Sequence, residues 1–306
     1  GVPVILDFQD PWVSVWGAKQ PAWSKAGLSH RLASGFEPAA VRNASFITSV
    51  SEGQNEEMAA RYPWLDPSRM AAIPIGGDPE DFNGVRDTPA VRDIFADRDD
   101  VLQLSYVGSY WPAAAAPFEV FLKGVARLRA AHPELMKRLR LNFVGTDAAS
   151  GGETFQVRPI AEALRVADCV REFPKRLPYL DALAVMARSD GLLLIGSDES
   201  HYTASKIYPA LMSGRPYLSL FHRLSNANTI LSAAGGGIAL AFSDAHELAS
   251  LEGQVADALA KLAFAPDSLG KIDPAAAAPH EARTIAKKYA EIFERASNGA
   301  QAALHK

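Results

Sequence analysis

Cysteine, charge imbalance and long apolar runs are all scarce in this sequence. The 306 residues contain one cysteine, Cys169, so no disulfide can form within the chain. The sequence therefore fits a protein of a reducing compartment better than a secreted protein stabilised by disulfides. The formal net charge is −4, which gives no basic field for nucleic acid. The clearest apolar run, 191–195, has the length of a strand, whereas a membrane span needs roughly 20 apolar residues. We expect a cytoplasmic protein without a transmembrane segment.

Signature motifs of several common enzyme classes are also missing. The sequence has no G-x-S-x-G elbow, which argues against an α/β-hydrolase. It has no Walker loop, and no strand is followed by the G-x-G-x-x-G fingerprint of dinucleotide binding. Asp198, Glu199 and His201 crowd one loop, but their spacing matches no metal motif. We therefore expect neither a metal nor a cofactor.

From residue 101 onward the chain alternates regularly between apolar strands and helical segments. The predicted strands are 101–108, 139–145, 170–173, 191–195, 216–221 and 237–242, and the predicted helices are 117–131, 156–166, 178–188, 203–213, 226–234 and 245–263. Six strand–helix units predict an α/β fold with a parallel, doubly wound, Rossmann-like sheet. A last helix is predicted over 281–297, after a stretch rich in alanine and proline.

The first hundred residues carry fewer strands. Strands are predicted at 2–8, 44–51 and 70–75, with helices at 24–42 and 52–61. The second helix has Ser51 and Gln54 at the spacing of a capping box. The segment 10–21 is interpreted as an aromatic, proline-marked loop, and the polar stretch 79–100 as an interdomain linker.

Strand 2–8 is a continuous apolar run, which requires cover on both faces of a parallel sheet. Too few strands follow it to complete a doubly wound sheet. We therefore predict that 1–78 is the C-terminal part of an N-terminal α/β domain, completed by a segment of the same protein ahead of it. A short edge strand is the alternative. The predicted division continues with a ligand-binding domain at 101–275 and a crossing helix with a tail at 276–306.

Ligands of open α/β sheets bind outside the carboxyl ends of the strands, and three loops of the second domain lie there. In the first loop, Gly108 would let a ligand approach the backbone closely, although a plain turn glycine is the alternative. Another, 173–178, is a basic strand exit framed by prolines, which suits a base or a phosphate, or is simply a solvated turn.

The remaining loop, 197–206, leads into a predicted helix. Thr203 is a suitable N-cap, which places Lys206 in the first helical turn. The helix dipole disfavours a cation there. A bound anion such as phosphate would account for this lysine, and a solvated surface side chain is the alternative.

Several of these motifs together resemble one family. The segment 204–208, followed by 214–216, is similar to the "S-K-hydrophobic-aromatic … G-R/K-P" helix of GT-B-fold glycosyltransferases of the family-four type. The segment 7–12, D-F-Q-D-P-W, resembles the "D-F-R-D-P-W" stretch late in their N-terminal domain. The strand exits 106–108 and 143–145 and the last helix follow in the same order, so the likeness is spread over nearly the whole chain.

The resemblance implies a retaining, metal-independent, hexosyl-type transfer from a nucleotide-diphosphate sugar. The acceptor would be a glycan, a lipid-linked molecule or a small molecule, reached in the cytoplasm or at the inner face of the membrane. Lys206 would be the catalytic residue, and Asp10 and Trp12 would lie on the acceptor side. The residues expected at the donor are Gly108, Ser109, Tyr110, Lys175, Arg176, Leu177, His201, Thr203, Ser205 and Ile207.

The chain also departs from the family pattern. Family members often have two glutamates eight positions apart, and His201 and Pro209 occupy the matching positions. The basic pair that often follows the first strand is replaced by 109–112, S-Y-W-P. A GT-B-fold epimerase or phosphorylase is therefore a rival within the enzymes. A non-catalytic module that binds a nucleotide or a partner protein is the rival from another class.

Overall fold

The chain forms two compact units in the computed structural model. The structure describes residues 2–96, 101–147, 151–199 and 204–304. The first unit combines the N-terminal residues up to Gly76 with the last helix, and the second unit is Gly77–Glu281. Among the described helices, none is both long enough and apolar enough to span a bilayer.

The first unit is built on a small parallel sheet. Its strands are β1 (Ile5–Phe8), β2 (Phe46–Ser49) and β3 (Met70–Ala72), in the order β1-β2-β3. Its helices are α1 (Val15–Ala18), α2 (Lys25–Asn43), α3 (Glu52–Arg61) and the last helix, α14 (Ala282–Leu304). Among the described strands, β1 pairs only with β2. The expectation that a further segment completes this sheet stays a prediction.

Two details of this unit differ from the sequence prediction. Helix α1 lies inside the segment predicted as a loop, because Ser14 caps it by accepting a hydrogen bond from the Gly17 N–H at 3.1 Å. At the start of α3, Ser51 Oγ accepts from the Gln54 N–H at 3.3 Å, but between these two described residues no hydrogen bond runs back from the Ser51 N–H to the Gln54 side-chain oxygen. Only half of the predicted capping box therefore forms.

A buried carboxylate ties the helices of the first unit together. Glu37 of α2 is fully buried. Its Oε1 accepts from Arg61 Nη1 at 2.5 Å and from Tyr62 Oη at 2.8 Å, both at the end of α3. Because a buried charge needs a partner, this ion pair fixes how α2 and α3 pack.

The second unit begins earlier than predicted. Residues 79–96, predicted as part of a linker, contain a 3₁₀ helix (Pro79–Gly84) and α4 (Pro89–Ile94). Val91, Ile94 and Phe95 are buried against apolar residues of this unit. The polar composition of the stretch conceals these three core residues, so the expectation of an extended linker there was wrong.

Six parallel strands form the sheet of the second unit. They are β4 (Leu102–Val107), β5 (Leu139–Val144), β6 (Val170–Phe173), β7 (Gly191–Ile195), β8 (Tyr217–His222) and β9 (Gly237–Phe242), in the order β6-β5-β4-β7-β8-β9. The helices are α5 (Ala115–Ala131), α6 (Pro133–Lys137), α7 (Arg158–Ala163), α8 (Tyr179–Arg188), α9 (Ile207–Met212), α10 (Asn226–Ala234), α11 (Ala245–Ser250), α12 (Glu252–Phe264) and α13 (Pro274–Ala277). The predicted α/β class with a Rossmann-like parallel sheet is confirmed.

Helix α9 is shorter than predicted. It begins at Ile207, so Lys206 is its N-cap and does not lie in the first turn. Pro209 has no N–H to donate to the carbonyl four residues earlier. The hydrogen bonds of the helix therefore start with the Ala210 N–H, which donates to the Lys206 carbonyl at 3.2 Å. The predicted N-cap, Thr203, lies outside the described residues.

The single cysteine lies in the larger core of the second unit. Cys169 is buried, and its thiol donates to the Val166 carbonyl at 3.1 Å. Burial raises the pKa of this thiol to about 11. The thiolate form is therefore rare at neutral pH.

Close packing of α5 on α12 provides a test of the fold. A Cβ added to Gly124 of α5 would lie 2.4 Å from Cγ1 of Val255 on α12. Gly124→Ala should therefore lower the free energy of unfolding by about 1–3 kcal/mol through overpacking, despite the better helix propensity of alanine. Urea denaturation measures the change.

The matched control is Gly253→Ala, also on α12, where a Cβ would meet nothing within 4 Å. That variant should be neutral or up to about 1 kcal/mol more stable. Equal effects of the two substitutions would contradict the packing described here.

Candidate functional site

The strand order of the second unit defines where a ligand site should lie. The order reverses between β4 and β7, the two strands from which the chain proceeds to opposite sides of the sheet. In open α/β sheets such a reversal opens a crevice outside the carboxyl ends of the strands. Gly108 directly follows β4, and Lys206 ends the loop that follows β7. The two loops singled out from the sequence thus meet at this point.

Lys206 lies directly over Gly108. A Cβ built on Gly108 would be 2.7 Å from both Cε and Nζ of Lys206. Any side chain at position 108 would require the end of Lys206 to move away. We predicted that Gly108 permits the approach of a ligand; in the structure it permits the approach of the lysine.

The surroundings of Lys206 disfavour its positive charge. Burial is the main cause of its lowered pKa, and the charge of Arg176 is the second. The aliphatic stem borders a small cavity of about 20 Å³, which is otherwise lined by apolar residues and Tyr106. Within the described part of the chain, Lys206 forms no ion pair. An anion bound here would therefore restore a favourable environment for the ammonium group.

Two glycines bring the loop 173–178 to the same place. A Cβ on Gly145, whose φ is +77°, would lie 3.7 Å from Cα of Arg176. A Cβ on Gly152, with φ +92°, would lie 2.7 Å from Cα of Lys175. The loop therefore rests on the residues that follow β5. Both cations are exposed at the surface, and neither forms an ion pair with a described residue.

Two carboxylates that the sequence analysis missed hold the neighbouring loop. Asp147 Oδ2 accepts from the backbone N–H groups of residues 152, 153 and 154 at 3.2, 3.1 and 3.0 Å. Glu172 accepts from the N–H groups of residues 156, 157 and 158 at 2.7–3.1 Å and from Thr146 Oγ1 at 2.5 Å. Aspartate and glycine are typical of loops, so Asp147 ahead of Gly151 and Gly152 was a detectable signal in the sequence. Glu172 accepts from N–H groups 14 to 16 residues earlier in the chain, and no sequence pattern signals hydrogen bonds over that separation.

These carboxylates determine where an anion can bind. Clusters of free backbone N–H groups attract phosphates. Here Asp147 and Glu172 already accept from six of the N–H groups between residues 152 and 158. An anionic ligand would therefore be directed to the cations Lys206 and Arg176.

The remaining residues of the first predicted loop have mainly structural contacts. The Ser109 carbonyl accepts from Tyr106 Oη at 3.0 Å. The Tyr110 N–H donates to the Thr146 carbonyl at 2.8 Å, and its ring packs edge-on against Phe118 with centroids 5.1 Å apart. These contacts fix the chain at the exit of β4 next to Gly108.

The other predicted donor residues differ in what they can offer. Ile207 is fully buried in the core, so only its backbone can face a ligand. Leu177 packs against the core that contains Val91 and Ile94. Ser205 is exposed. His201 and Thr203 lie outside the described residues.

The acidic loop after β7 does not gather a metal site in the described part of the chain. No three histidine, cysteine, aspartate or glutamate residues converge there. Burial, and then the charge of Asp198, raises the pKa of Glu199. The backbone N–H of Glu199 donates to Ser197 Oγ at 3.3 Å, which closes a local turn.

The predicted acceptor-side residues belong to the first unit. Asp10 is exposed just after β1. Trp12 is 49% exposed and packs edge-on against Phe8, with ring centroids 5.2 Å apart. It lines a surface groove of this unit together with residues of α1 and α2.

Comparisons with known proteins place this geometry in context. No family model matches the chain. It is 29% identical over 213 residues to a D-inositol 3-phosphate glycosyltransferase of Stackebrandtia nassauensis, an alignment that covers 69% of this chain and 43% of the relative. The chain thus spans less than half the length of that relative.

Solved structures resemble the chain over nearly its whole length. Anabaena HepE, in complex with UDP and glucose, matches with a TM-score of 0.65 at 15% identity, over 95% of this chain and 71% of that one. Sucrose-phosphate synthase from Thermosynechococcus elongatus matches with a TM-score of 0.64 at 15% identity, over 96% and 68%. The chain has a GT-B glycosyltransferase fold. At these identities the likeness establishes the fold alone.

The electrostatic coupling between Arg176 and Lys206 can be tested directly. Arg176→Gln should raise the pKa of Lys206, because removal of a nearby positive charge favours the protonated amine. The value should stay below that of a free lysine, since burial persists. The pH dependence of Lys206 acetylation, followed by mass spectrometry, measures the shift.

Lys175→Gln removes the same charge one residue away and is the matched control, because Lys175 does not act on Lys206. The midpoint of acetylation should move only in the Arg176 variant. An unchanged midpoint in both would show that the two cations are not coupled.

Proposed function

We propose that this chain is the donor-binding part of a glycosyltransferase that uses a nucleotide-diphosphate sugar. The observation that carries the proposal is the position of Lys206, held over Gly108 at the reversal of the sheet, with Arg176 acting on it. Two neighbouring cations without an anionic partner among the described residues suit a ligand with two adjacent negative groups. A diphosphate has that charge distribution.

The comparisons support the choice of ligand. HepE binds UDP and glucose, and the Stackebrandtia relative is named as a glycosyltransferase. We propose a uridine diphosphate sugar as the first donor to test. The loop 173–178 would border the base, and Gly108, Ser109 and Tyr110 would line the diphosphate. Ser205 and the backbone of Ile207 would face the sugar side, and His201 and Thr203, which the resemblance also assigns to the donor, lie outside the described residues.

The proposed reaction follows from the charge that develops on the leaving group. The bond between the anomeric carbon and the diphosphate oxygen breaks, and a new bond forms from an acceptor hydroxyl oxygen to that carbon. The hydroxyl proton is released, and the leaving nucleoside diphosphate gains a negative charge. Lys206 and Arg176 would stabilise this charge in a partly buried site, where such stabilisation is most effective. This supply of positive charge supports a metal-independent transfer, and the retaining course is proposed from the family resemblance alone.

The acceptor side of the proposal rests on the first unit. Asp10 and Trp12 follow β1 at its carboxyl end, where ligands of parallel sheets bind. We propose that they contact the acceptor, which would be a glycan, a lipid-linked molecule or a small molecule. The expected place of action is the cytoplasm, including the inner face of the membrane.

One observation favours a second candidate, a nucleotide-binding module without transfer activity. Pro209 of α9 stands where the family resemblance leads us to expect a glutamate, so no carboxylate is available from that position. Calorimetry with nucleoside diphosphates, followed by a donor-hydrolysis assay, separates the two. Binding without turnover would favour the module.

The Lys206 ammonium should matter for the diphosphate and not for the nucleoside. Lys206→Ala should weaken UDP binding by about 1.5–3 kcal/mol, the size of a lost charge-assisted hydrogen bond. Uridine binding should be almost unchanged. Titration calorimetry with both ligands measures the difference.

Lys261→Ala, an exposed lysine on α12, is the matched control and should change neither affinity. If Lys206→Ala weakens uridine as much as UDP, the lysine does not meet phosphate and the proposed site is wrong.

The charge supplied by Lys206 and Arg176 also predicts the response to chelators. Donor hydrolysis and transfer should continue in EDTA, because these cations would neutralise the leaving diphosphate. Rates with EDTA and with EDTA followed by excess Mg²⁺ or Mn²⁺ test this. Loss in EDTA with recovery on metal addition would contradict the metal-independent reaction and point to the loop with Asp198, Glu199 and His201.

A further inference from the structure

One exposed aromatic ring belongs to the loop that the two carboxylates hold. Phe155 lies between β5 and α7 and is 42% exposed. A single exposed phenylalanine is ordinary on a protein surface, so its exposure alone assigns it no role. Its backbone restraints and its neighbours, however, distinguish this ring from the other exposed apolar residues.

The chain is fixed on both sides of Phe155. Before it, Asp147 Oδ2 accepts from the Thr154 N–H at 3.0 Å. After it, Glu172 Oε1 accepts from the N–H groups of Gln156 and Val157 at 2.9 and 3.1 Å. Hydrogen bonds to a charged group are among the stronger ones in proteins. The ring therefore projects from a backbone that the protein itself holds in place, which limits the entropy lost when a ligand contacts it.

A guanidinium group lies over the Phe155 ring. Arg158 Cζ is 5.4 Å from the ring centroid, which is within the range of a cation–π interaction. Arg158 Nε also donates to Glu162 Oε1 at 2.9 Å, so an ion pair between residues four apart restrains the guanidinium. With one face of the ring under this cation, the opposite face is left for a planar partner.

The loop that carries Phe155 lies against the loop 173–178. A Cβ on Gly152 would lie 2.7 Å from Cα of Lys175. Phe155 follows Gly152 by three residues, so the two Cα atoms lie within about 11 Å of each other. The sheet order places β6 and β5 side by side, with β4 and β7 next in the row. A ligand with its charged groups at Lys206 can therefore extend along this edge of the sheet toward Phe155.

We propose that the Phe155 ring stacks on the base of the nucleotide donor. The inference rests on the proposed function, because it concerns the same site and supplies an apolar contact that Lys206 and Arg176 do not offer. Phe173 of the neighbouring loop packs against the core around Ile94 instead. Stacking requires only the flat face that every nucleobase has. Phe155 therefore contributes affinity for the nucleoside and leaves the choice of base to other contacts.

Titration calorimetry of the full chain with uridine, UDP and inorganic pyrophosphate tests the stack. Phe155→Ala should weaken uridine and UDP by the same factor, about fivefold to a hundredfold, which is the range for the loss of one base–aromatic stack. Pyrophosphate has no base and should bind as it does to the original chain. Lys206→Ala should show the opposite pattern, with weaker UDP and pyrophosphate and unchanged uridine.

Two further substitutions at the same position separate stacking from apolar bulk. Phe155→Tyr keeps an aromatic face and should bind all three probes like the original chain. Phe155→Leu keeps an apolar side chain without that face, and its affinity for uridine should fall as in Phe155→Ala.

The matched control is a phenylalanine of the first unit. Phe293 of α14 is 52% exposed, close to the value for Phe155. Phe293→Ala should leave the affinity for each probe unchanged. Thermal unfolding of every variant checks that the substitutions at exposed positions preserve the fold.

Three results would overturn the stack and leave the proposed function standing. One is unchanged uridine and UDP affinity in Phe155→Ala while Lys206→Ala still weakens UDP, because the ring would then lie outside the site. Another is equal weakening of all three probes by Phe155→Ala, because the ring would then support the loops without touching the base. The third is uridine binding by Phe155→Leu that equals that of the original chain.

Failure of the proposed function gives a different pattern. An original chain that binds neither uridine nor UDP would overturn the proposed donor site and the stack together.

Discussion

The candidate site depends on one contact, in which the Lys206 ammonium group lies against Gly108 in the space that a side chain would otherwise fill. This contact places a cation at the reversal of the sheet, where β4 and β7 are neighbours. It also removes the amine from water, which costs free energy, and the charge of Arg176 adds to that cost. An anion beside the two cations would lower this cost. The buried sheet and the short helix α9 surround the contact and hold the lysine in this position.

The loops beside this contact are held by the protein's own anions. Asp147 and Glu172 accept hydrogen bonds from six backbone N–H groups between residues 152 and 158. These groups would otherwise attract a ligand. The loop 173–178 rests on the residues that the carboxylates hold, through Gly145 and Gly152. Local order around β5 and β6 therefore fixes the backbone from which Arg176 extends. Internal carboxylates shape the scaffold, and the cations remain available to a ligand.

The sequence predicted the strands of the second unit to within one residue at each end, because their apolar runs are bounded by glycine, proline and polar turns. It singled out Lys206 because the helix dipole disfavours a cation in the first turn, whereas the structure makes Lys206 the N-cap, and its role at a ligand stays a prediction. It could not predict that Lys206, Arg176 and Gly108 meet, since their proximity exists only once the sheet order is known. Helix α1 and the buried face of α4 were missed because each is too short to show a periodic pattern.

The position of Cys169 has a practical consequence. At a pKa of about 11, roughly one thiol in ten thousand is ionised at pH 7, and the group is also sterically enclosed. Cys169 of the unaltered chain should therefore react very little with maleimide reagents. A cysteine introduced at an exposed position of each unit would accept a fluorophore without competition from Cys169. Energy transfer between two such dyes would then measure the distance between the labelled positions with and without added nucleotide.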